Sequence, residues 1–390
     1  MQPHHVLSRP IGLGPLTAAN RLVMPPLVIW KADESGTVTD EHLEHYARSA
    51  GPGLMIVEAT TVRPEGRLAA TQLGIWDDGQ IPGLARLAAT IRESGALAGI
   101  QIHHAGGSTK RDRLYGEDPR VPSLLERSPE GAREMSGDEV AETVEAFRVG
   151  VRRALEAGFQ VIELHGAHSY LISQFLSPQT NLRDDDWGGS AERRRAFMLA
   201  VIRAAREEIE RAARTDSAAL TIRLGLAAGS PRALPVDEGV AAAKAAVEAG
   251  ADFLDISNGG GLDEPTEEEI RSRTQPVVET IDPASGLEPT TTLLLAAIAR
   301  ASVGVPIVGV NGIFTPEAAG AAIEAGIADL VATGRAILAD PGWARKSLGR
   351  AEQPIEPCQR CEPRCHWFAD PPKCPARRRL ARRGEQAPVT

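Results

Sequence analysis

Three side chains near the middle of the chain could carry out acid–base chemistry. His165 and His168 are three residues apart, and Tyr170 follows two residues later. One turn of a helix would place both imidazoles on the same face. Two neighbouring imidazoles can donate N–H bonds to one oxygen, and a phenol beside them can deliver a proton. This set is suited to activating a carbonyl or nitro group and then protonating a neighbouring carbon.

Two simpler interpretations of these residues stay open at this point. A histidine pair can hold zinc, although zinc needs a third and usually a fourth ligand, and no nearby residue obviously supplies one. A tyrosine after a strand is also often a packed ring with a hydrogen-bonded hydroxyl group. The local sequence alone therefore leaves catalysis and structure as alternatives.

The elements that must position these side chains form a regular series. Eight short apolar runs predict buried strands at 21–24, 54–59, 97–102, 161–164, 220–224, 253–256, 306–310 and 328–332. Helical patterns lie between them, including an apolar stripe from Val140 to Leu155 preceded by a capping box of Ser136 and Glu139. Thr315 and Pro316 predict the start of another helix. Apolar strands alternating with amphipathic helices predict an α/β protein, a (β/α)8 TIM barrel, rather than an open doubly wound sheet, because no Gly-x-Gly-x-x-Gly follows a strand.

In such barrels the chemistry lies at the carboxyl ends of the strands. Polar residues fall near several of these ends: Gln101, His103, His165, His168, Arg223, Asn311, Gly312, Gly334 and Arg335. The last four suit a phosphate group, because glycine allows close backbone approach and arginine adds positive charge. Glycines after strands are more often plain turns, however, and Arg223 within an apolar strand could simply form a salt bridge at the rim.

Composition limits the classes of function. The chain has 390 residues, 42% of them hydrophobic and 24% charged, with a formal net charge of −9. These values are typical of a globular protein with a full core, and the negative charge argues against a general nucleic-acid surface. No apolar run approaches the length of a membrane span, and the N-terminus lacks the pattern of a secretion signal. We therefore expect a cytoplasmic protein without membrane or nucleic-acid partners.

Several motifs resemble the Old Yellow Enzyme family of FMN-dependent ene-reductases. They are His165 to Leu171, Gln174 to Pro178, Asn181, Arg183, Trp187 to Ser190, Asn20 to Leu27, Val57 to Thr60, Gly99 to Gly106, Asn311 to Ile313 and Thr333 to Arg335. Together they extend over nearly the whole barrel. The resemblance implies FMN as cofactor and NAD(P)H as co-substrate, using the same pocket as a small-molecule substrate.

The resemblance also implies roles for individual residues. Flavin contacts are expected from Pro26, Leu27, Ala59, Gln101, Arg223, Asn311, Gly312, Gly334 and Arg335. Arg223 would face the N1 and O2 edge of the flavin, where reduction builds negative charge. Trp30 matches a position that often places an aromatic ring over the substrate, and a core tryptophan is the alternative. Val28 departs from the family, because relatives carry a Thr or Cys that hydrogen-bonds near the flavin N5 and O4.

In the mechanism that the resemblance implies, an α,β-unsaturated carbonyl compound replaces the nicotinamide above the flavin. His165 and His168 bind its oxygen, the flavin N5 gives a hydride to the β-carbon, and Tyr170 protonates the α-carbon.

All four cysteines lie near the C-terminus: Cys358, Cys361, Cys365 and Cys374. So dense a group favours thiolate metal ligation. A similar run binds a [4Fe–4S] cluster in the branch of 2,4-dienoyl-CoA reductase and trimethylamine dehydrogenase, although the last spacing is shorter here. We predict a barrel over residues 1–350 and a cysteine-containing extension over residues 351–390 that ends in a disordered basic tail. A cluster, a structural zinc and free thiols remain alternatives.

The cysteines keep a second enzyme class open, an FMN dehydrogenase that passes electrons through a cluster to a partner protein. A flavin-free barrel aldolase or isomerase would account only for the phosphate loops. A non-catalytic binding module would leave the convergent polar residues unexplained. We also expect a homo-oligomer.

Overall fold

The computed structural model describes residues 5–114, 116–230, 233–362 and 364–385, without the side chain of residue 369. Eight strands form a closed parallel barrel, and helices cover it. The strands are β1 Ile11–Leu13, β2 Leu16–Ala18, β3 Leu22–Met24, β4 Leu54–Thr61, β5 Leu97–His103, β6 Arg120–Val121, β7 Arg133–Glu134, β8 Val161–Gly166, β9 Ala219–Gly225, β10 Phe253–Ser257, β11 Ile307–Val310 and β12 Leu330–Ala332. The barrel order is β3, β4, β5, β8, β9, β10, β11 and β12, so all eight predicted strands are confirmed.

The main helices follow the barrel strands. They are α1 Asp40–Arg48, α2 Ile81–Glu93, α3 Gly137–Glu156, α4 Leu171–Leu176, α5 Ala191–Arg194, α6 Ala196–Arg211, α7 Val236–Glu248, α8 Glu264–Val278, α9 Thr291–Arg300, α10 Pro316–Glu324, α11 Gly334–Ala339, α12 Trp343–Ser347, α13 His366–Ala369 and α14 Pro375–Arg382. Among the described residues, no helix is both long and apolar enough to cross a membrane.

The predicted helix starts are also confirmed. At α3 the Ser136 Oγ accepts from the Glu139 N–H, and the Glu139 carboxylate accepts from the Ser136 N–H at 2.8 Å. At α10 the Thr315 Oγ1 accepts from the Ala318 N–H, with Pro316 in the first turn. These caps satisfy N–H groups that have no partner within the helix.

Alternating residues of each strand fill the barrel interior. Val161, Ala219 and Phe253 belong to one buried apolar cluster with residues of the other strands, so they close the amino-terminal part of the barrel. Because side chains alternate with a period of two, the residues two and four positions further along face the same interior. On β8, β9 and β10 the residues of this second layer are the polar Glu163, Thr221 and Asp255, and the third layer, with His165, Arg223 and Ser257, lies at the mouth.

The C-terminal extension is more ordered than the sequence predicted. Residues 375–382 form α14, although we expected a disordered basic tail over 377–383. The Arg377 Nε donates to the Leu338 carbonyl at 2.6 Å, and buried Glu356 pairs with Arg379 and Arg383. The basic residues thus have specific acceptors, which composition alone does not show. The terminal residues 386–390 lie outside the described part of the chain.

Candidate active site

Four aromatic rings meet at the carboxyl end of the barrel. His165 belongs to β8, and its ring centroid lies 5.1 Å from that of His168 and 4.8 Å from that of Tyr170. His103 at the end of β5 packs edge-on against Tyr170 at 4.5 Å. His165 and His103 are buried, while Tyr170 is half-buried. The structure thus brings the three predicted catalytic side chains together and adds His103, which the sequence placed at the mouth without a role.

The local conformation that joins these rings differs from the prediction. We expected one helical turn to bring the two histidines together, and this was wrong. His165 ends a strand, whereas His168 and Ser169 have φ values of 56° and 61° in a left-handed turn before α4. The turn is held by hydrogen bonds to the loop after β10, where the Asn258 carbonyl accepts from the His168 N–H at 3.0 Å. Tertiary contacts stabilise a backbone conformation that non-glycine residues adopt rarely.

The two imidazoles have closely defined partners. The His165 Nε2 and the His168 Nδ1 lie 3.4 Å apart. The Ala167 N–H donates to the other nitrogen of His165, Nδ1, at 3.3 Å. The His168 Nε2 lies 2.8 Å from the Ser257 Oγ, and Ser257 was not among the predicted site residues. The side chain of Ser257 faces the barrel mouth at the end of β10, and no local sequence signal identified it.

Burial controls the charge of this group. It lowers the pKa of His165 well below its ordinary value, with smaller contributions from the charges of His168, His103 and Arg223. Burial, followed by the charge of Arg223, lowers the pKa of His168 to about 3. Burial raises the pKa of Tyr170. At neutral pH the histidines are therefore neutral and the phenol keeps its proton.

A cavity of 320 Å³ opens beside His168. Eight of the predicted side chains line it: Pro26, Leu27, His168, Arg223, Asn311, Gly312, Gly334 and Arg335. Phe368 of the C-terminal extension adds to the lining. A larger cavity of 760 Å³ between α10 and residues 349–357 contains none of the predicted site residues, so size alone does not identify the site.

The lining fits FMN. Asn311 and Gly312 have φ values of 82° and 80°, a left-handed pair that exposes backbone to the cavity, and the Arg335 guanidinium adds positive charge beside them. This end suits a phosphate. Arg223 is 6% exposed, and its Nε has no hydrogen-bond partner among the described residues. A buried unpaired donor at the cavity wall fits the electron-rich pyrimidine edge of a flavin.

The remaining predicted flavin and substrate residues lie apart from this cavity lining. Ala59 is buried in β4, and its carbonyl accepts from Gln72 at 2.7 Å. The Gln101 Nε2 donates to the Glu163 Oε1 at 2.8 Å inside the barrel. Trp30 is 37% exposed with a φ of 58°, so it is not the core tryptophan that we considered as an alternative.

The four cysteines are free thiols. Cys358, Cys365 and Cys374 pack in one cluster with Leu27, which also lines the cavity. Burial, and to a lesser extent the neighbouring thiols of Cys365 and Cys374, raises the pKa of Cys358. Across the described ranges, no three His, Cys, Asp or Glu side chains are arranged to hold a metal ion. As placed, the cysteines do not form a ligand set for a cluster or zinc, and we assign no chemical step to either.

Comparisons with known proteins identify the family of this chain. Residues 6–352 match the NADH:flavin oxidoreductase / NADH oxidase family. An NADPH dehydrogenase of Geobacillus thermodenitrificans is 38% identical over 360 residues, which are 90% of this chain and 97% of that protein. Thus the match extends over almost the whole of both proteins.

Solved structures share the fold. An Old Yellow Enzyme homologue from Zymomonas mobilis superposes with a TM-score of 0.73 and 25% identity, covering 90% of this chain and 94% of the other. A 2-naphthoyl-CoA reductase in complex with 2-naphthoyl-CoA gives a TM-score of 0.79 and 25% identity over 94% of this chain, which spans only 56% of that longer protein. The chain therefore belongs to the Old Yellow Enzyme family of FMN-dependent NAD(P)H oxidoreductases.

Proposed function

We propose that this enzyme reduces the activated C=C bond of an α,β-unsaturated carbonyl compound at the expense of NAD(P)H. One observation carries the proposal. The His165 Nε2 and the His168 Nδ1 lie 3.4 Å apart beside the Tyr170 ring, and His168 lines the 320 Å³ cavity. In this arrangement the two imidazoles can bind one oxygen through hydrogen bonds, and the phenol can protonate a nearby carbon.

The tautomers of the two rings are compatible with binding of one oxygen by both. Because the His165 Nδ1 accepts the Ala167 N–H, the proton of this neutral ring lies on Nε2. The tautomer of His168 depends on whether the Ser257 hydroxyl donates to its Nε2 or accepts from it. When the serine hydroxyl donates to the His168 Nε2, the ring proton lies on Nδ1. Each ring then has an N–H group at the pair, and one carbonyl oxygen can accept from both.

The cavity residues would hold the cofactor. Arg223 would face the pyrimidine edge, with Gln101 beneath it, and the Asn311–Gly312 and Gly334–Arg335 loops would bind the phosphate. When bound, reduced FMN supplies the hydride, after NAD(P)H has reduced it in the same pocket. The histidine clamp draws electron density from the alkene towards the bound oxygen, which makes the β-carbon electrophilic.

Tyr170 would complete the reaction as the general acid. Its ring packs between His103 and His165, so the direction of the hydroxyl is restricted. Burial raises its pKa, which keeps the phenol protonated over the neutral range. The phenol would give its proton to the α-carbon on the side opposite to the flavin.

Anaerobic assays of the two half-reactions test this function. We expect NAD(P)H to reduce the bound flavin, and an enone such as 2-cyclohexenone, but not its saturated analogue, to reoxidise it. Enone-dependent consumption of NAD(P)H would follow in steady state. A flavin that NAD(P)H reduces and that no activated alkene reoxidises would contradict the proposal.

A second candidate is an FMN dehydrogenase that delivers electrons to a partner protein, although the described cysteines, as placed, do not form the cluster that it would use. Cys358, Cys365 and Cys374 pack beside Leu27, and Phe368 of the same extension reaches the cavity. Two measurements test this candidate. The first is iron, sulfide and zinc analysis after anaerobic purification, and the second is an assay of flavin reduction by saturated substrates. Flavin reduction by an amine without NAD(P)H activity would favour this candidate. An electron-transfer partner, a homo-oligomer and a cytoplasmic location stay predictions.

A further inference from the structure

Two carboxylates lie inside the barrel, directly below the residues proposed to hold the flavin. Glu163 in β8 and Asp255 in β10 are both fully buried. The strand register places Glu163 opposite Gln101 and Asp255 opposite Arg223. By the period-two alternation they belong to the second interior layer, between the apolar floor and the mouth. Acidic residues in two otherwise apolar strands are costly unless other groups compensate them.

The four side chains form a continuous polar row. The Gln101 Nε2 donates to the Glu163 Oε1 at 2.8 Å. The carboxyl groups of Glu163 and Asp255 lie close enough for a hydrogen bond to form between them when one of them is protonated. At the other end, the Arg223 Nη1 lies 3.7 Å from the Asp255 Oδ2. The row thus runs from the amide of Gln101 through two carboxyl groups to the guanidinium of Arg223.

This row requires a proton between the carboxyl groups. The Glu163 Oε2 and both oxygens of Asp255 have no N–H or O–H donor from the described residues unless one of the acids is itself protonated. Two ionised carboxylates in contact inside a dry barrel repel each other strongly. Burial, reinforced by the charge of Asp255, raises the pKa of Glu163 well above its ordinary value, and burial also raises that of Asp255. One negative charge then remains to balance Arg223.

We propose that Glu163 and Asp255 are positioning residues that share one proton, and that their single negative charge limits the positive potential which Arg223 presents to the flavin. The hydrogen bond between Gln101 and Glu163 and the ion pair between Arg223 and Asp255 also hold the two upper side chains towards the mouth. This inference rests on the proposed flavin site but not on the reduction of an alkene. It makes the carboxyl pair a determinant of the flavin reduction potential.

The effects of substituting Glu163 and Asp255 on the flavin potential should not be additive. In Glu163→Gln the amide can accept from Gln101 and donate to Asp255, which stays ionised. In Asp255→Asn the amide can donate to Glu163, which now ionises. Each single variant therefore keeps one negative charge. The double variant removes it and leaves the charge of Arg223 unbalanced, which stabilises the anionic reduced flavin.

Two measurements test this reasoning. In the infrared spectrum of the FMN-free protein at pH 7, the unaltered chain should show the carbonyl stretch of a buried protonated carboxylic acid. Either single variant should abolish it, and Thr221→Val, which removes a neutral hydroxyl from the same layer, should not. A stretch that persists in both single variants would overturn the shared proton.

The second measurement is the flavin potential with a reference dye. We expect the preference for reduced over oxidised FMN to be at least tenfold greater in the double variant than in the unaltered chain. This corresponds to a rise of about 30 mV in the two-electron potential of the bound flavin. Each single variant and Thr221→Val should stay within threefold. If the potential shift of the double variant equals the sum of the shifts of the two single variants, the proposed charge balance is refuted. If the double variant does not fold, the infrared spectra of the single variants still decide whether the two carboxyl groups share a proton. Failure of the unaltered chain to bind FMN would instead overturn the proposed site, while the infrared test would stand.

Discussion

Replacement of Tyr170 by phenylalanine tests the proposed chemistry most directly. The change removes one hydroxyl from a half-buried ring and keeps its edge-on contacts with His103 at 4.5 Å and His165 at 4.8 Å. We therefore expect the free energy of unfolding to change by no more than about 1 kcal/mol. The altered step is protonation of the α-carbon, since flavin reduction by NAD(P)H needs no phenol.

The expected magnitude follows from general acid catalysis. A positioned acid contributes roughly 10²–10⁴ in rate, or about 3–5 kcal/mol of barrier. Because burial raises the pKa of Tyr170, the phenol is fully protonated at pH 7 and the whole effect should be visible there. We expect flavin reoxidation by the enone to slow by this factor, while flavin reduction by NAD(P)H changes less than twofold.

Anaerobic stopped-flow absorbance of the flavin measures both half-reactions separately. Tyr46→Phe is a matched control, because Tyr46 is a buried tyrosine whose hydroxyl accepts from the Glu58 N–H at 2.8 Å, outside the four-ring cluster. It should leave both half-reaction rates largely unchanged, even if it lowers stability. Equal losses in the two half-reactions of Tyr170→Phe, or a loss below fivefold in reoxidation, would refute the role of proton donor.

Further predictions concern the clamp, the extension and pH. His165→Ala should weaken binding of a phenolate ligand at least tenfold by flavin absorbance titration, and an unchanged dissociation constant would contradict the clamp. Ser257→Ala removes the 2.8 Å partner of the His168 Nε2, so the same ligand should bind about fivefold more weakly, while Ser257→Thr should retain affinity; equal losses in both would show that the hydroxyl is not responsible. Glu356→Gln removes the negative charge that pairs with Arg379 and Arg383 and should cost about 1 kcal/mol locally, seen as faster proteolysis of the C-terminal segment; no change would argue against this docking. Burial lowers the pKa of His45 and of His168 to about 3, so below pH 6.5 the unfolded chain binds protons that the folded chain excludes. Stability of the FMN-free protein should therefore fall as pH drops from 6.5 towards 4, by up to ~1.4 kcal/mol per pH unit for each histidine, and a melting temperature that rises over this range would disprove the assignment.

Local patterns were sufficient for much of the fold. The eight apolar runs became the barrel strands because continuous apolar segments can be buried only in a sheet covered on both faces. The caps at Ser136 and Thr315 depend on residues three positions away, so they could be predicted directly. The loops that line the cavity could also be predicted locally, because Gly312 and Gly334 follow the ends of two predicted strands.

Predictions failed where the deciding contact was distant in sequence. His168 was expected on a helical turn with His165, but its left-handed backbone depends on Asn258, ninety positions further along the chain. Residues 377–383 were expected to be disordered, because a run of arginines shows no acceptors, yet Leu338 and Glu356 provide them.

By itself the sequence determined the barrel, the group of His165, His168 and Tyr170, and the family. Only the tertiary structure decided how these groups are charged and oriented. The pairing of Ser257 with His168, and the row of Glu163 and Asp255 beneath Arg223, each join different strands of the barrel. The reason is physical: hydrogen bonds and ion pairs between barrel strands depend on register and burial, which appear only once the sheet has closed.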